Sequence, residues 1–134
     1  LESPPELPVL RQKVIQSIES LKIPWNQIVL GGFSQGAMLA THVYLHAPET
    51  PKALVSLSGA LLSKKELEKV VKSKADGRFF LSHGKNDQIL TQRGSAQLET
   101  FLHQNGLKGK LYNFDGSHEI PMEVITKLNE FLRT

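Results

Sequence analysis

The stretch Gly31-Gly32-Phe33-Ser34-Gln35-Gly36-Ala37 constrains the fold of this chain more than any other. Gln27-Ile28-Val29-Leu30 precedes it and reads as a buried strand; Met38 to Leu45 comes after it and reads as a helix. A serine flanked by Gly32 and Gly36 at a strand-to-helix junction is the nucleophile-elbow pattern. Such a turn is so tight that side chains two residues before and two after the serine are expected to collide, which calls for glycine at both places. The serine hydroxyl is left at the tip. The N–H of Gln35 falls at the start of the helix, where it can donate to a developing oxyanion. The plainer reading of the same residues is a glycine-rich turn with a capping serine, and the rest of the chain decides between them.

The loops after the strands make that decision. Ala53 to Gly59, Arg78 to Gly84 and Lys110 to Phe114 read as three further strands. Helices are expected between and around them. The first carries Leu7, Leu10, Val14, Ile18 and Leu21 on one face, with Arg11, Gln12, Lys13, Gln16 and Glu19 on the other, after a proline-rich loop over residues 1–8. A charged helix from Lys64 to about Lys72 could be capped by Ser63. Another starts at Thr91 or Gln92, turns Leu98, Phe101 and Leu102 inward, and stops near Asn105-Gly106. The last runs from about Pro121 to Leu132, with Val124, Ile125, Leu128, Phe131 and Leu132 apolar. Strands alternating with helices predict an α/β fold, a parallel sheet sandwiched by helices.

In such sheets the loops at the C-terminal strand ends gather on one rim. Ser34 lies after the first strand, Asp87 after the third and His118 after the fourth. The order serine, acid, histidine is that of the α/β-hydrolase arrangement. A serine hydroxyl is a poor nucleophile until a base takes its proton. His118 is the expected base, Asp87 the group that fixes its tautomer, and Gln35 N–H an oxyanion donor. Asp115 is a rival acid, three residues before His118 and better suited to a turn; Asp87 also reads as a turn residue and His118 as a solvated one. His42 and His46 stand four apart on a helix, but the Val-Tyr-Leu between them lacks the glutamate of a zinc-protease motif, so both are expected to pack or face solvent. His83 is expected to make a structural hydrogen bond and His103 to lie at the surface. Leu61, Leu62, Ile89, Leu90 and Ile120 come after strand ends or flank these loops, and they are candidates for an acyl-contacting wall or for ordinary core.

Bulk properties narrow the function classes. The chain has 134 residues, 40% hydrophobic and 22% charged, which fits a single globular domain. A net charge of +3, scattered along the chain, argues against a nucleic-acid partner. With no cysteine, disulfides, thiolate nucleophiles and cysteine-bound zinc are excluded, and a cytoplasmic setting is expected. No apolar run approaches the ~20 residues of a membrane span.

Gly-Gly-Phe-Ser-Gln-Gly-Ala, Leu57-Ser58-Gly59, Ser82-His83-Gly84 with Asp87, and Gly116-Ser117-His118-Glu119-Ile120 together resemble the carboxylesterase, acyl-protein thioesterase and lysophospholipase family of small α/β-hydrolases. The resemblance runs from the first helix to the last. It implies hydrolysis of an ester or thioester bond on a small molecule or a lipidated protein, without metal or other cofactor, in a broad acyl pocket. It matches Ser34, Asp87 and His118 to the family's triad and Gln35 to its oxyanion position. Members also carry strands before the elbow, one ending in a His-Gly-x-Gly-type loop that gives a second oxyanion donor, and nothing in residues 1–134 matches these. The chain also opens at Leu1, without an initiator methionine. The expectation is a single domain, 1–134, forming the C-terminal portion of a longer hydrolase. Its elbow strand would lie at a sheet edge, open to a dimer partner or to the missing N-terminal segment. The competing expectation is a catalytically weak remnant acting through binding or assembly at that edge. A peptidase on the same fold ranks below both, because no substrate-gripping domain is present.

Overall fold

The computed structural model describes residues 4–134. Four strands, β1 (Val29–Phe33), β2 (Ala53–Leu57), β3 (Arg78–Gly84) and β4 (Lys108–Phe114), lie in the order β1-β2-β3-β4. Every pairing is parallel, with Val29 opposite Ala53, Leu54 opposite Phe79 and Arg78 opposite Lys108. Parallel neighbours need crossovers, and the helices supply them. They are α1 (Leu7–Ser20), α2 (Gln35–His46), α3 (Lys64–Glu68), α4 (Gln92–Gln104) and α5 (Met122–Leu132). Among the described residues no helix is long and apolar enough to cross a membrane.

Strand residues alternate between the two faces, and the core divides accordingly. Leu30, Leu54, Phe79 and Leu81 pack with Ile15 of α1, Val43 and Tyr44 of α2 and Leu98 and Phe101 of α4. Val55, Leu57, Phe80 and Phe114 point the other way, onto Val124, Leu128 and Phe131 of α5. A sheet covered on both faces explains why β2 is buried throughout rather than alternating with polar residues. β1 forms one edge, and its Val29 and Phe33 are exposed. At the other edge Glu99 Oε2 accepts the Leu111 N–H at 2.7 Å, and Lys108 and Lys110 add charge.

β3 spans the expected residues, but other elements differ. β1 begins two residues later than expected and runs through both glycines, because Gly31 and Gly32 pair with Val55 and Ser56. α1 starts at Leu7 with proline in its first turn, where no N–H is needed; residues 1–3 of the expected loop lie outside the described residues. The inner stripe of α1 is Leu7, Val14, Ile15 and Ile18, while Leu10 and Leu21 are exposed. The stripe is rotated because Arg11, assigned to the polar face, turns inward and pairs with Glu66 at 2.7 Å. A long cationic side chain can cover apolar surface and still reach a carboxylate. The expected charged helix breaks after Glu68, and a separate 3-10 turn covers Val71–Lys74.

His42 and His46 pack against α3 and the Leu62 segment. His42 is fully buried and its Nε2 donates to the Leu62 carbonyl at 2.8 Å; its Nδ1 has no partner among the described residues. His46 Nδ1 donates to the His42 carbonyl at 2.8 Å. Burial holds both imidazoles below the ordinary histidine value, against opposing contributions from their carbonyl partners and from Glu66. The unfolded chain therefore binds more protons than the folded one as pH falls through about 6.5, and stability rises with pH in that range. The thermal midpoint is expected to be lower at pH 5.5 than at pH 7.5. In His42→Gln, which keeps a donor for Leu62, that difference should shrink. Identical pH dependence in the two proteins would refute the assignment.

Candidate active site

The elbow is built from backbone geometry. Ser34 has φ 59° and ψ −120°, a conformation that costs a non-glycine residue about 1–3 kcal/mol and persists only where its surroundings enforce it. They do so here: Ser34 N–H donates to the Leu57 carbonyl at 2.9 Å, and the Ser34 carbonyl accepts from Ala37 and Met38 N–H at 3.0 and 3.2 Å. A Cβ on Gly32 would collide with the Gly36 carbonyl group and lie 2.7 Å from Ala37 N. A Cβ on Gly36 would meet nothing within 4 Å. The expectation of two obligatory glycines is thus half right: crowding is one-sided, because Gly36 has already entered the helix and points outward. Gly36→Ala is expected to raise stability by about 0.5–1 kcal/mol through helix propensity. A fall in the thermal midpoint would show a hidden constraint at that position.

Two further loops meet the elbow. Lys85 N–H donates to the Phe114 carbonyl and Asn86 N–H to the Gly116 carbonyl, each at 2.9 Å. These bonds continue the β3–β4 pairing beyond the strands and zip the Asp87 loop to the His118 loop. His118 Nδ1 lies 2.7 Å from Asp87 Oδ2 and His118 Nε2 lies 3.0 Å from Ser34 Oγ. Asp87 is buried, and its Oδ1 accepts the N–H groups of Ile89 and Leu90 at 2.8 and 2.9 Å. Burial disfavours its charge, but hydrogen bonds from His118 and from the Leu90 and Ile89 N–H groups outweigh that and hold the carboxyl below its ordinary value. Asp115 instead points to solvent, 91% exposed, with Lys85 Nζ 3.4 Å away. The Phe33 ring packs on the His118 ring, with centroids 4.8 Å apart. Sequence reasoning assigned Phe33 no contact; its place next to the serine was the available signal.

The five acyl-wall candidates do not stay together. Leu61, Ile89 and Leu90 line one hollow of about 190 Å³, with Arg93 and Gln97 on its wall. Ile89 is 72% exposed and open to a ligand. Leu62 is buried beside His42 through its carbonyl, and Ile120 is exposed outside that hollow. A larger hollow of about 440 Å³ shares Leu61, Arg93 and Gln97 and extends along α4 to Thr100 and Gln104. Neither hollow has Ser34 or His118 in its lining. His103 is exposed as expected, with Nε2 donating to the Gly109 carbonyl at 2.8 Å. Among the described residues no group of three or more His, Asp or Glu side chains is arranged to hold a metal ion.

A parallel sheet with a serine elbow after one strand, and an acid and a histidine on later strand-end loops, defines the α/β-hydrolase class. Within that class, the chain belongs to the phospholipase/carboxylesterase family, whose profile matches residues 7–134. It is 31% identical over 125 residues to the acyl-protein thioesterase 1 of Eremothecium gossypii, covering 90% of this chain and 53% of that protein. The crystal structure of esterase PE8 superposes with a TM-score of 0.83 at 28% identity, covering 94% of this chain and 58% of the esterase. Acyl-protein thioesterase 2 of Zea mays shares the fold, with a TM-score of 0.75 at 20% identity over 95% of this chain and 63% of that one. The chain thus spans about half the length of the curated relatives it matches.

Proposed function

We propose that the chain carries the nucleophile, base and acid of a serine hydrolase that cleaves carboxylic ester or thioester bonds through an acyl-enzyme. The observation that carries this reading is the hydrogen-bonded series Ser34 Oγ, His118 and Asp87, at 3.0 and 2.7 Å. A carboxylate only accepts, so His118 Nδ1 carries the hydrogen toward Asp87 and the bare Nε2 accepts the Ser34 hydroxyl. Ser34 Oγ attacks the acyl carbon as its proton passes to Nε2. The tetrahedral oxyanion collapses, and the alcohol or thiol leaves with that proton. Water then attacks the Ser34 ester by the same route and regenerates the hydroxyl. Gln35 N–H, first in α2 and without a helical acceptor, is the proposed oxyanion donor, a group typically worth about 3–4 kcal/mol of barrier. Ile89 and Leu90, which follow Asp87 in the same loop, are the proposed acyl contacts. The match to an acyl-protein thioesterase supports a fatty-acylated protein or a small acyl ester as substrate.

We also infer that in the intact protein further strands join the sheet at β1. The exposed Val29 and Phe33 and the greater length of the relatives support this. The same open edge favours the second reading, a catalytically weak unit that acts through binding or assembly.

A fluorophosphonate probe applied to the intact natural protein separates these readings. The hydrolase reading expects one labelled residue, Ser34, together with hydrolysis of p-nitrophenyl acetate. Absence of label, or label at another serine, would defeat it.

A further inference from the structure

His83 is a second histidine beside Asp87, fully buried at the end of β3. Its Nε2 lies 2.7 Å from the Leu90 carbonyl and 3.1 Å from Asp87 Oδ2, the oxygen that His118 uses. A carbonyl can only accept, so Nε2 carries the hydrogen and shares it between Leu90 and Asp87. Nδ1 is the second polar atom of the ring. Ser95 Oγ, buried in the first turn of α4, stands 2.6 Å from it. The same hydroxyl lies 3.3 Å from the Gly59 carbonyl in the loop after β2. His83 therefore spans three elements and ends on the carboxylate.

We propose that His83 is a positioning residue that holds both the Asp87 carboxylate and the 87–90 turn in the orientation His118 requires. Asp87 Oδ1 is fixed from within its own turn by the Ile89 and Leu90 N–H groups. Oδ2 has both histidines within reach, His83 Nε2 at 3.1 Å and His118 Nδ1 at 2.7 Å. His83 approaches from the protein interior and His118 from the rim, where its side chain is 17% exposed. With the interior donor removed, the carboxylate can turn about its last torsion and the Leu90 carbonyl loses its partner. The hydrogen bond to His118 then loses its fixed direction. The effect on turnover rests on the hydrolase reading above; the effect on the Asp87–His118 bond does not.

Two substitutions separate positioning from simple filling of the core. The amide nitrogen of glutamine reaches where histidine Nε2 stands, whereas that of asparagine stops near the Nδ1 position. In the intact natural protein, His83→Asn is expected to lower kcat for p-nitrophenyl acetate by about tenfold to a hundredfold, with KM unchanged within about twofold. His83→Gln is expected to stay within about threefold of wild type. In parallel, the downfield proton resonance of His118 Nδ1–H should persist in wild type and His83→Gln and broaden away in His83→Asn. A His83→Asn protein that keeps both kcat and the resonance would overturn the proposal. So would a folded His83→Gln protein that lacks the resonance, which decides the matter should the asparagine variant fail to fold. Should wild type itself show no turnover, the hydrolase reading falls while the resonance still decides the role of His83.

Discussion

Ser34→Ala is expected to lower kcat for ester hydrolysis by about 10⁶-fold while leaving the fold intact. The size comes from the chemistry. On the proposed mechanism, without Oγ no acyl-enzyme can form, and His118 and Asp87 have no nucleophile to serve. Only oxyanion stabilisation and substrate binding remain, worth roughly 10³–10⁴ over water. The structural cost is small by comparison. Alanine gives up one hydrogen bond, at 3.0 Å to His118, with a net worth of about 1 kcal/mol. The left-handed φ of 59° is enforced by the Leu57 and Ala37 backbone bonds, which the substitution does not touch. The measurement is single-turnover hydrolysis of a p-nitrophenyl ester beside a thermal melt. Turnover that survives in a folded Ser34→Ala protein would remove Ser34 from the mechanism.

Gly84→Ala carries the largest expected effect on stability, about 3–5 kcal/mol from overpacking and lost backbone hydrogen bonds. Gly84 ends β3 where the chain turns toward Asp87, and its carbonyl accepts the Asp87 N–H at 3.2 Å. A Cβ there would clash with the Ser117 carbonyl oxygen and lie 2.5 Å from that of Gly116. Both obstacles are backbone of the loop that carries His118, so neither can swing aside as a flexible side chain would. The loop must retreat, and the bonds from Lys85 N–H to Phe114 and from Asn86 N–H to Gly116 go with it. For a domain of this length the loss corresponds to a thermal midpoint lower by roughly 10–20 °C. Turnover should fall by about a hundredfold or more even below that midpoint, because His118 is displaced from both partners. Calorimetry with a kinetic assay tests both parts. A protein as stable as wild type would show that the two loops are not interlocked at this residue.

Much of the architecture could be read in advance, because it is written in local periodicity. Phe79-Phe80-Leu81 is apolar without alternation in a stretch bounded by Gly77 and Gly84, and β3 spans Arg78 to Gly84. The helix after Ser34 and the C-terminal stop at Gly106, with φ +87°, obey chain-local rules. The errors arose where local pattern met a neighbour. The stripe of α1 turned because Arg11 found Glu66, 55 residues away. Gly36 looked obligatory from its place in the motif, yet only the path of α2 shows that its outward side is empty. Leu62 and Ile120 looked like wall residues because they flank loops, but flanking a loop does not fix which way a side chain faces.

The sequence by itself determined the parallel α/β layering, the family and a short set of residues able to do nucleophilic chemistry, since these depend on residue type, order and period along one chain. Tertiary structure alone decided that His83 backs the Asp87 carboxylate from the interior and which apolar side chains line a hollow. Those are facts of distance and direction, set by how strands align and loops interlock, and they have no trace in the spacing of the residues themselves.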